Sequence, residues 1–228
     1  MDASSSGRSG ESLIALRVTE FLERAGAAVP VPGGGGIAAL AGAAAVSMLE
    51  MTLNFTVGKP KFAAVEQEAR RLLAEVSAAR IRLTALVDED AAQYAKVSAA
   101  MKLPGKAPGE KEARKAAMNQ AMREAIEPPL EMLGLLAKTA GIAGEILSIC
   151  NPNLASDAGV AASIIPGAAR AAALNVWMNV PALESAEARR VVSEVNVMLA
   201  SLEQSCGAVS REVELRLCPK NAQGNSSQ

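Results

Sequence analysis

The sequence AGAAVPVPGGGGIAALAGAAAVSML, residues 25–49, contains no charged side chain. By count alone it could span the roughly 30 Å hydrocarbon core of a bilayer. Its first half, however, holds two prolines and four consecutive glycines, which are poor helix formers. The helical remainder, residues 37–49, is mostly alanine and about half as long as a membrane span needs to be. We therefore predict a buried core helix, whose alanines and glycines let neighbouring helices pack closely.

The composition of the whole chain favours helix over strand. Half of the 228 residues are hydrophobic, but only one Trp, one Tyr and three Phe occur. Alanine, leucine, glutamate and arginine, which dominate, have high helix propensity. We predict an all-α fold, a single-domain bundle of long amphipathic helices over residues 11–218, with the methionine-rich segment 118–132 in its core. The polar ends, residues 1–10 and 219–228, are predicted to be disordered.

Charge and residue usage exclude several classes of function. The formal net charge is -1 with both signs interspersed, so we expect no nucleic-acid partner. The chain contains no histidine, which excludes a Ser-His-Asp triad and any His-ligated metal site. Three cysteines without a C-x-x-C pair, together with an N-terminus that lacks the apolar core of a secretory signal, indicate a reducing compartment, the cytoplasm by default.

Hydrophobic periodicity and helix-breaking residues predict seven helices. Ser12 is predicted to cap the first, and the proline pair at Pro128 to break the chain between the fourth and the fifth. Ser156 or Asp157 is predicted to cap the sixth helix, which Pro166 should interrupt. The predicted ranges are 12–24, 37–55, 60–101, 110–127, 128–149, 156–180 and 184–217.

One aspartate interrupts the apolar face of the long third helix. Between Leu83 and Met101, apolar side chains recur in steps of three or four residues, and Asp90 occupies one of these positions. A buried carboxyl without a partner has a raised pKa and can hold or pass a proton near neutral pH. The alternatives are a helix face that widens to solvent, or a structural ion pair with a lysine or arginine.

Three other features could contact a ligand. The glycines Gly33–Gly36 precede a helix, where free amides and the helix dipole attract anions, although a turn for tight packing explains them equally well. Asn175 and Asn179 lie one helical turn apart among alanines and could read the edge of a heterocycle or bond a neighbouring helix. Lys59 could meet a carboxylate or simply be solvated.

Five stretches of the sequence resemble, in family order, the cyclodeaminase domain of formiminotransferase-cyclodeaminase and its stand-alone bacterial relatives, which include methenyltetrahydrofolate cyclohydrolases. They are PVPGGGGIAALAGA from Pro30, NFTVGKPKF from Asn54, LVDEDAAQY from Leu86, SDAGVA from Ser156 and ALNVWMN from Ala173. The resemblance covers residues 12–215. Two positions depart from the family pattern: Cys150 stands where a glycine is usual, and Ile37 where a serine or alanine usually follows the glycines.

The resemblance implies an all-helical homodimer that binds a folate in a cleft near its two-fold axis, with no metal and no redox cofactor. Asp90 would serve as acid or base at a C–N bond of the one-carbon bridge, and Asp157 as a second such group. Lys59 or the helix amides would hold the folate glutamate or a pterin carbonyl. The implied catalytic residues are Asp90, Lys59 and Asp157, and the implied substrate-binding residues are Gly33, Gly34, Gly35, Gly36, Asn54, Asn175 and Asn179.

Several functions stay open at this point. The favoured one is a cyclohydrolase that hydrates the methenyl bridge of tetrahydrofolate. The alternative reaction closes formiminotetrahydrofolate to the methenyl form with loss of ammonia. A non-catalytic helical folate-binding or scaffold protein is a second class, which the departures at Cys150 and Ile37 could indicate. A membrane-attached helical protein is a third class, although we expect no membrane partner because the uncharged stretch is too short once its glycines and prolines are removed.

Overall fold

Seven α-helices make up the computed structural model, which describes residues 12–218. They are α1 (Val18–Ala25), α2 (Gly34–Asn54), α3 (Glu66–Met101), α4 (Pro108–Glu124), α5 (Glu127–Ile149), α6 (Ala155–Asn179) and α7 (Ser185–Leu217). Short 3₁₀ helices lie at Leu13–Ala15, Pro60–Val65, Pro152–Leu154 and Val180–Ala182. Within residues 12–218 there is no strand, so the predicted all-α bundle is confirmed. The tails predicted to be disordered lie outside the described residues.

Helix α2 lies at the centre of the bundle, in contact with α3, α5 and α6. Its buried face consists largely of alanine and glycine, and a side chain on Gly42 would bring its Cβ within 3.1 Å of Leu136 on α5. Larger residues on this face would hold the neighbouring helices apart. The prediction of a buried core helix with close neighbours is therefore confirmed.

Helices α2 and α6 run antiparallel to each other. The side chain of Asn175, near the end of α6, lies beside Gly34 at the start of α2. At the opposite end, the backbone N–H of Asn151, just before α6, donates to Oγ1 of Thr56, just after α2, over 3.0 Å. The two ends of this helix pair are separated by about 30 Å, since each residue of a helix adds about 1.5 Å.

The N-terminal segment attaches to α3 in a way that the sequence analysis did not predict. Ser12 makes no capping hydrogen bond. Instead its hydroxyl donates to Oδ2 of Asp88 over 2.6 Å, and the N–H of Leu13 donates to Oδ1 of the same carboxylate over 2.6 Å. The predicted Ser12 cap is therefore wrong, because a carboxylate on another helix competes for its hydroxyl.

Two expectations about α6 are also wrong. The residue before its first turn is Leu154, so neither Ser156 nor Asp157 caps it. The 3₁₀ helix Pro152–Leu154 leads directly into α6 instead. Pro166 lies inside α6 without ending it. The proline removes one backbone hydrogen bond, but packing of α6 against α2 and α7 keeps the helix continuous. By contrast, the break predicted at Pro128 is confirmed, since α4 ends at Glu124.

Helix α4 is anchored less firmly than its neighbours. Of its 17 residues only Ala121 is buried. Lys96 of α3 pairs with Glu124 over 2.7 Å, and Arg123 pairs with Glu187 of α7. Such exposed ion pairs contribute at most about 1 kcal/mol each. Burial and ion pairs together thus hold α4 less firmly than burial holds the other long helices.

Three helical stretches are long and apolar enough to cross a membrane, judged by length and composition alone. They are Gly34–Asn54, Pro108–Ile149 and Pro152–Ala182. Between 44% and 56% of each apolar window is buried inside the bundle. Much of their apolar surface is thus used for packing between helices, and the absence of a membrane partner stays a prediction.

Candidate active site

A cavity of about 390 Å³ opens between the start of α2, the second half of α3, the end of α4 and the end of α6. Six of the residues predicted as site residues line it: Gly33, Gly34, Gly35, Asp90, Asn175 and Asn179. The fold brings them together because α2 starts where α6 ends. Among the described residues that line this cavity, Asp90 is the single charged one.

The carboxyl group of Asp90 is partly buried against the start of α2. Burial raises the pKa of Asp90, and a hydrogen bond donated by the backbone N–H of Gly36 lowers it less, so the net pKa is above its ordinary value. Within residues 12–218 no lysine or arginine forms a salt bridge with Asp90. The structure thus favours a proton-handling carboxyl over the structural ion pair that the sequence analysis left open.

Gly35 is the residue that makes room for Asp90. A Cβ added at Gly35 would lie 2.0 Å from Oδ1 and 2.3 Å from Cγ of Asp90. No real side chain tolerates such an approach, so the carboxyl can rest on the helix start only because this position is glycine. The glycines were predicted either to bind an anion or to allow tight packing. The anion that they contact here is a carboxylate of the same chain.

The two asparagines of α6 line the cavity and bond to carbonyls of their own helix. Nδ2 of Asn175 donates to the carbonyl of Ala171 over 2.8 Å, and Nδ2 of Asn179 donates to the carbonyl of Asn175 over 3.0 Å. Each amide thereby uses one donor on its own helix. Bonding to a neighbouring helix, one of the two predicted alternatives, is not observed among the described residues.

Gln93 is a cavity residue that the sequence analysis did not identify. It follows Asp90 by one helical turn and lines the same wall. Its Oε1 is shielded from solvent and accepts no hydrogen bond within the described residues. A buried acceptor without a donor costs about 1–3 kcal/mol. The sequence could have indicated this residue, because it lies one helical turn beyond Asp90. A glutamine on a helix is ordinarily solvated, however, so its position alone did not mark it as a site residue.

Methionines form much of the apolar part of the cavity wall. Met101 of α3, Met118 and Met122 of α4, and Met178 of α6 line the cavity. Their flexible, polarisable side chains adapt well to a flat aromatic ligand. The prediction that segment 118–132 belongs to the core is correct for Met132, which is fully buried. It is wrong for the two methionines of α4, because α4 covers the cavity rather than the bundle interior.

Three predicted site residues lie away from this cavity within one chain. Asn54 is the exposed last residue of α2, about 30 Å from Gly34. Lys59 is exposed in the turn that follows, and Asp157 lies in the first turn of α6, which is at the same end of the helix pair. Because α2 and α6 are antiparallel, these residues keep their predicted roles only if a second copy brings them to the cavity.

The two departures from the family pattern also lie outside the cavity wall formed by residues 12–218. Cys150 is buried at the end of α5, where burial raises the pKa of its thiol. Ile37 is 39% exposed on the outer face of α2. Neither is among the described residues that line the cavity with Asp90 in one chain.

No group of three or more Cys, Asp or Glu residues in the described part of the chain is placed to hold a metal ion. The chemistry available at the cavity is that of one proton-handling carboxyl, backbone amides at a helix start, and amide side chains.

Comparisons with known proteins agree with this architecture. Residues 17–197 match the family model described as formiminotransferase-cyclodeaminase. The chain belongs to this family. The family resemblance identified from the five sequence stretches is thereby confirmed.

Relatives within the family differ in length. The chain is 33% identical over 184 residues to a methenyltetrahydrofolate cyclohydrolase of Methylorubrum extorquens, covering 80% of this chain and 88% of that protein. It is 31% identical over 169 residues to the formimidoyltransferase-cyclodeaminase of Rattus norvegicus, covering 74% of this chain but only 31% of that protein. The match to the bacterial relative therefore extends over nearly its whole length.

A solved structure shares the fold. The crystal structure of formiminotetrahydrofolate cyclodeaminase from Thermotoga maritima superposes with a TM-score of 0.72 at 26% sequence identity. The superposition covers 89% of this chain and 96% of the other. The helical bundle described above is thus the fold of the family.

Asp90→Asn tests whether burial of this carboxyl opposes folding. Because the folded-state pKa is raised, this group stabilises the protein most below its unfolded-state pKa, and that contribution is lost as pH rises through the folded-state pKa. We expect the variant, which keeps an acceptor for the Gly36 N–H but carries no charge, to be at least as stable as the wild type at pH 7. Urea denaturation at pH 4 and pH 7 measures this, and a variant less stable at pH 7 contradicts it.

Proposed function

We propose that this protein is a methenyltetrahydrofolate cyclohydrolase, which adds water to the one-carbon bridge of 5,10-methenyltetrahydrofolate and yields 10-formyltetrahydrofolate. The observation that carries the proposal is the unpaired, partly buried Asp90 on the cavity wall. The near full-length match to a bacterial protein of that name supports it. The reaction moves protons and breaks one C–N bond, so it is redox-neutral and requires no redox cofactor.

Asp90 can perform both proton transfers of this reaction. Its carboxylate accepts a proton from water while the water oxygen bonds to the bridge carbon, which gives a neutral hydroxy-substituted intermediate. The protonated carboxyl then donates to N5 as the bond between N5 and the bridge carbon breaks. The hydroxyl proton leaves to solvent, and the carbon becomes the formyl group on N10. Such general acid–base catalysis contributes about 100-fold to 10,000-fold.

The electrostatics of the cavity suit the substrate's reacting centre. The methenyl bridge carries a delocalised positive charge, and Asp90 is the charged group on a wall otherwise formed by apolar and neutral polar residues. Charges interact more strongly in such surroundings than in water. The carboxylate therefore attracts the cationic bridge towards the position from which it can activate water.

Formiminotetrahydrofolate cyclodeaminase is the second candidate, because the superposable structure from Thermotoga maritima bears that name. In this reaction N10 bonds to the carbon of the protonated formimino group, and ammonia leaves. The same carboxyl can take the proton from N10 and donate it to the departing nitrogen. The two reactions thus require the same residue in the same place, and a direct assay separates them.

The assay follows two signals with purified protein. We expect loss of methenyl absorbance above the uncatalysed rate and little ammonia release from formiminotetrahydrofolate. Asp90→Asn should lower turnover at least about 100-fold with folate binding nearly unchanged. Ammonia release as the dominant activity would select the second candidate. Binding of folate without either activity would indicate a non-catalytic folate-binding protein.

Gly35→Ala tests the contact that positions the carboxyl. The added methyl group displaces Asp90 from the Gly36 amide, and a displacement of about 1 Å at a catalytic group can lower activity about 100-fold. Stability should change by less than about 1 kcal/mol, because alanine favours the helix. Gly134→Ala on α5, where an added Cβ meets nothing within 4 Å, is the matched control and should keep wild-type turnover. Equal turnover in the two variants would exclude this role for Gly35.

We also propose that the protein works as a homodimer through an outer face formed by α2 and α6. Apolar or small residues recur on this face in steps of four and three, and none is charged. On α2 they are Ile37, Ala41, Ala44, Met48, Met51 and Phe55; on α6 they are Val160, Ile164, Gly167, Ala171, Leu174 and Met178. This spacing is that of helices packed against a further layer of helices.

The size of the face supports a second copy as its partner. It extends about 27 Å along two helices each about 10 Å wide, which gives about 500 Å² per copy and about 1,000 Å² in total. That total reaches the lower bound of specific protein interfaces. A two-fold axis perpendicular to the helices would bring the end of α2 that carries Asn54 in one copy over the Gly34 end in the other.

Leu174→Arg tests the dimer. Leu174 is 62% exposed on the α6 stripe, and a charge there opposes burial against a second copy. We expect a dimer for the wild type and a monomer for the variant by sedimentation velocity. Leu215→Arg, at a leucine of α7 that is 69% exposed, is the control and should stay dimeric. A monomeric wild type that sediments with lipid vesicles would instead assign this face to a membrane.

A further inference from the structure

Gln93 has an amide group without partners on the cavity wall. Its Oε1 is shielded from solvent and unbonded, and no hydrogen bond of its Nε2 to a residue within 12–218 is found. Asn175 and Asn179, the other amide side chains of the wall, each spend a donor on a backbone carbonyl of α6. Among the cavity residues described, Gln93 is therefore the amide side chain whose oxygen and nitrogen both lack a protein partner.

The pyrimidine edge of a pterin requires such a pair. In the 2-amino-4-oxo ring, the N3–H donor and the C4 carbonyl acceptor are adjacent. A carboxamide matches them with two parallel hydrogen bonds, its oxygen accepting from N3–H and its nitrogen donating to the carbonyl. Because Oε1 of Gln93 is shielded from solvent in this structure, we expect the amide to turn about its last side-chain bonds when the ligand binds. A buried polar atom is expensive to leave unpaired, so a ligand that supplies the missing donor gains affinity over one that does not.

The distance between Gln93 and Asp90 on α3 matches the size of the two fused rings of a pterin. Gln93 and Asp90 are three residues apart on a helix, which places their Cβ atoms about 5–6 Å from each other. A pterin whose pyrimidine edge faces Gln93 extends its other ring towards Asp90. The nitrogen that carries the one-carbon bridge belongs to that other ring. Recognition of one edge thus sets the distance between the bridge and the carboxyl.

We propose that Gln93 is the residue that recognises the pyrimidine edge of the substrate's pterin ring and so positions the bridge at Asp90. This inference rests on the proposed folate function. Gln93 is a positioning residue and takes no part in proton transfer. Its loss should weaken binding and raise KM while kcat changes less, whereas loss of Asp90 lowers kcat.

The experiment compares two ligands on two variants. One ligand is tetrahydrofolate; the other is its analogue with hydrogen in place of the 4-oxo group, which lacks both the carbonyl acceptor and the N3–H donor without added bulk. The variant is Gln93→Met, similar in size but apolar at its end. The control is Gln67→Met, the same change at an exposed position on the same helix. Affinities are measured by isothermal titration calorimetry.

We expect the wild type and Gln67→Met to bind tetrahydrofolate about 10-fold more tightly than the analogue. Gln93→Met should lose about 10-fold for tetrahydrofolate and less than about threefold for the analogue, so that discrimination nearly disappears. Equal losses for both ligands would show a structural role and overturn the inference. Equal affinities of the wild type for the two ligands would overturn it without any variant.

The same measurements distinguish a failure of the proposed folate function from a failure of the role of Gln93. If the wild type binds neither ligand and turns over no folate, the folate function itself falls, and this inference with it. If the wild type binds and turns over folate but Gln93→Met discriminates as well as the wild type, only the role of Gln93 falls. Gln93→Leu repeats the measurement should the methionine variant fail to fold.

Discussion

The contact between the Asp90 carboxyl and the start of α2 determines the rest of the site. The carboxyl lies where a Cβ of Gly35 would be, and the Gly36 amide donates to it. This contact brings the middle of one long helix to the first turn of another. It also removes the carboxyl from water without supplying a cation, so its pKa rises. A stronger partner would stabilise the fold and abolish the proton-handling chemistry.

The small residues of α2 have a second consequence. Because its buried face is mostly alanine and glycine, α3, α5 and α6 can all approach it, and its first turn reaches the end of α6. The cavity exists at this meeting point. The outer face of the same helix carries larger apolar residues among its alanines, and they offer apolar area to a further helical layer. The two faces of one helix thus serve a core, a site and a proposed interface.

The walls of the cavity differ in how firmly they are held. The glycines, Asp90 and Asn175 belong to helices that bury most of their inner faces, so the polar groups are rigidly placed. Met118 and Met122 belong to α4, which buries one residue. A cavity lined by rigid polar groups and by adaptable methionines is suited to fix the reacting end of a flat ligand while accommodating its shape.

Five ordered motifs in the sequence indicated the family. Periodicity and composition by themselves determined the helices, the burial of α2 and the anomaly at Asp90. These depend on local spacing, which reports the side of a helix that faces inward. Spacing does not report which helix lies opposite. Only the tertiary structure, through the antiparallel pairing of α2 and α6, decided that Asn54 and Lys59 lie about 30 Å from the cavity. The same packing brought Gln93 to the cavity wall. Its amide oxygen stays unpaired there, because the surrounding helices shield it from water and offer it no hydrogen-bond donor.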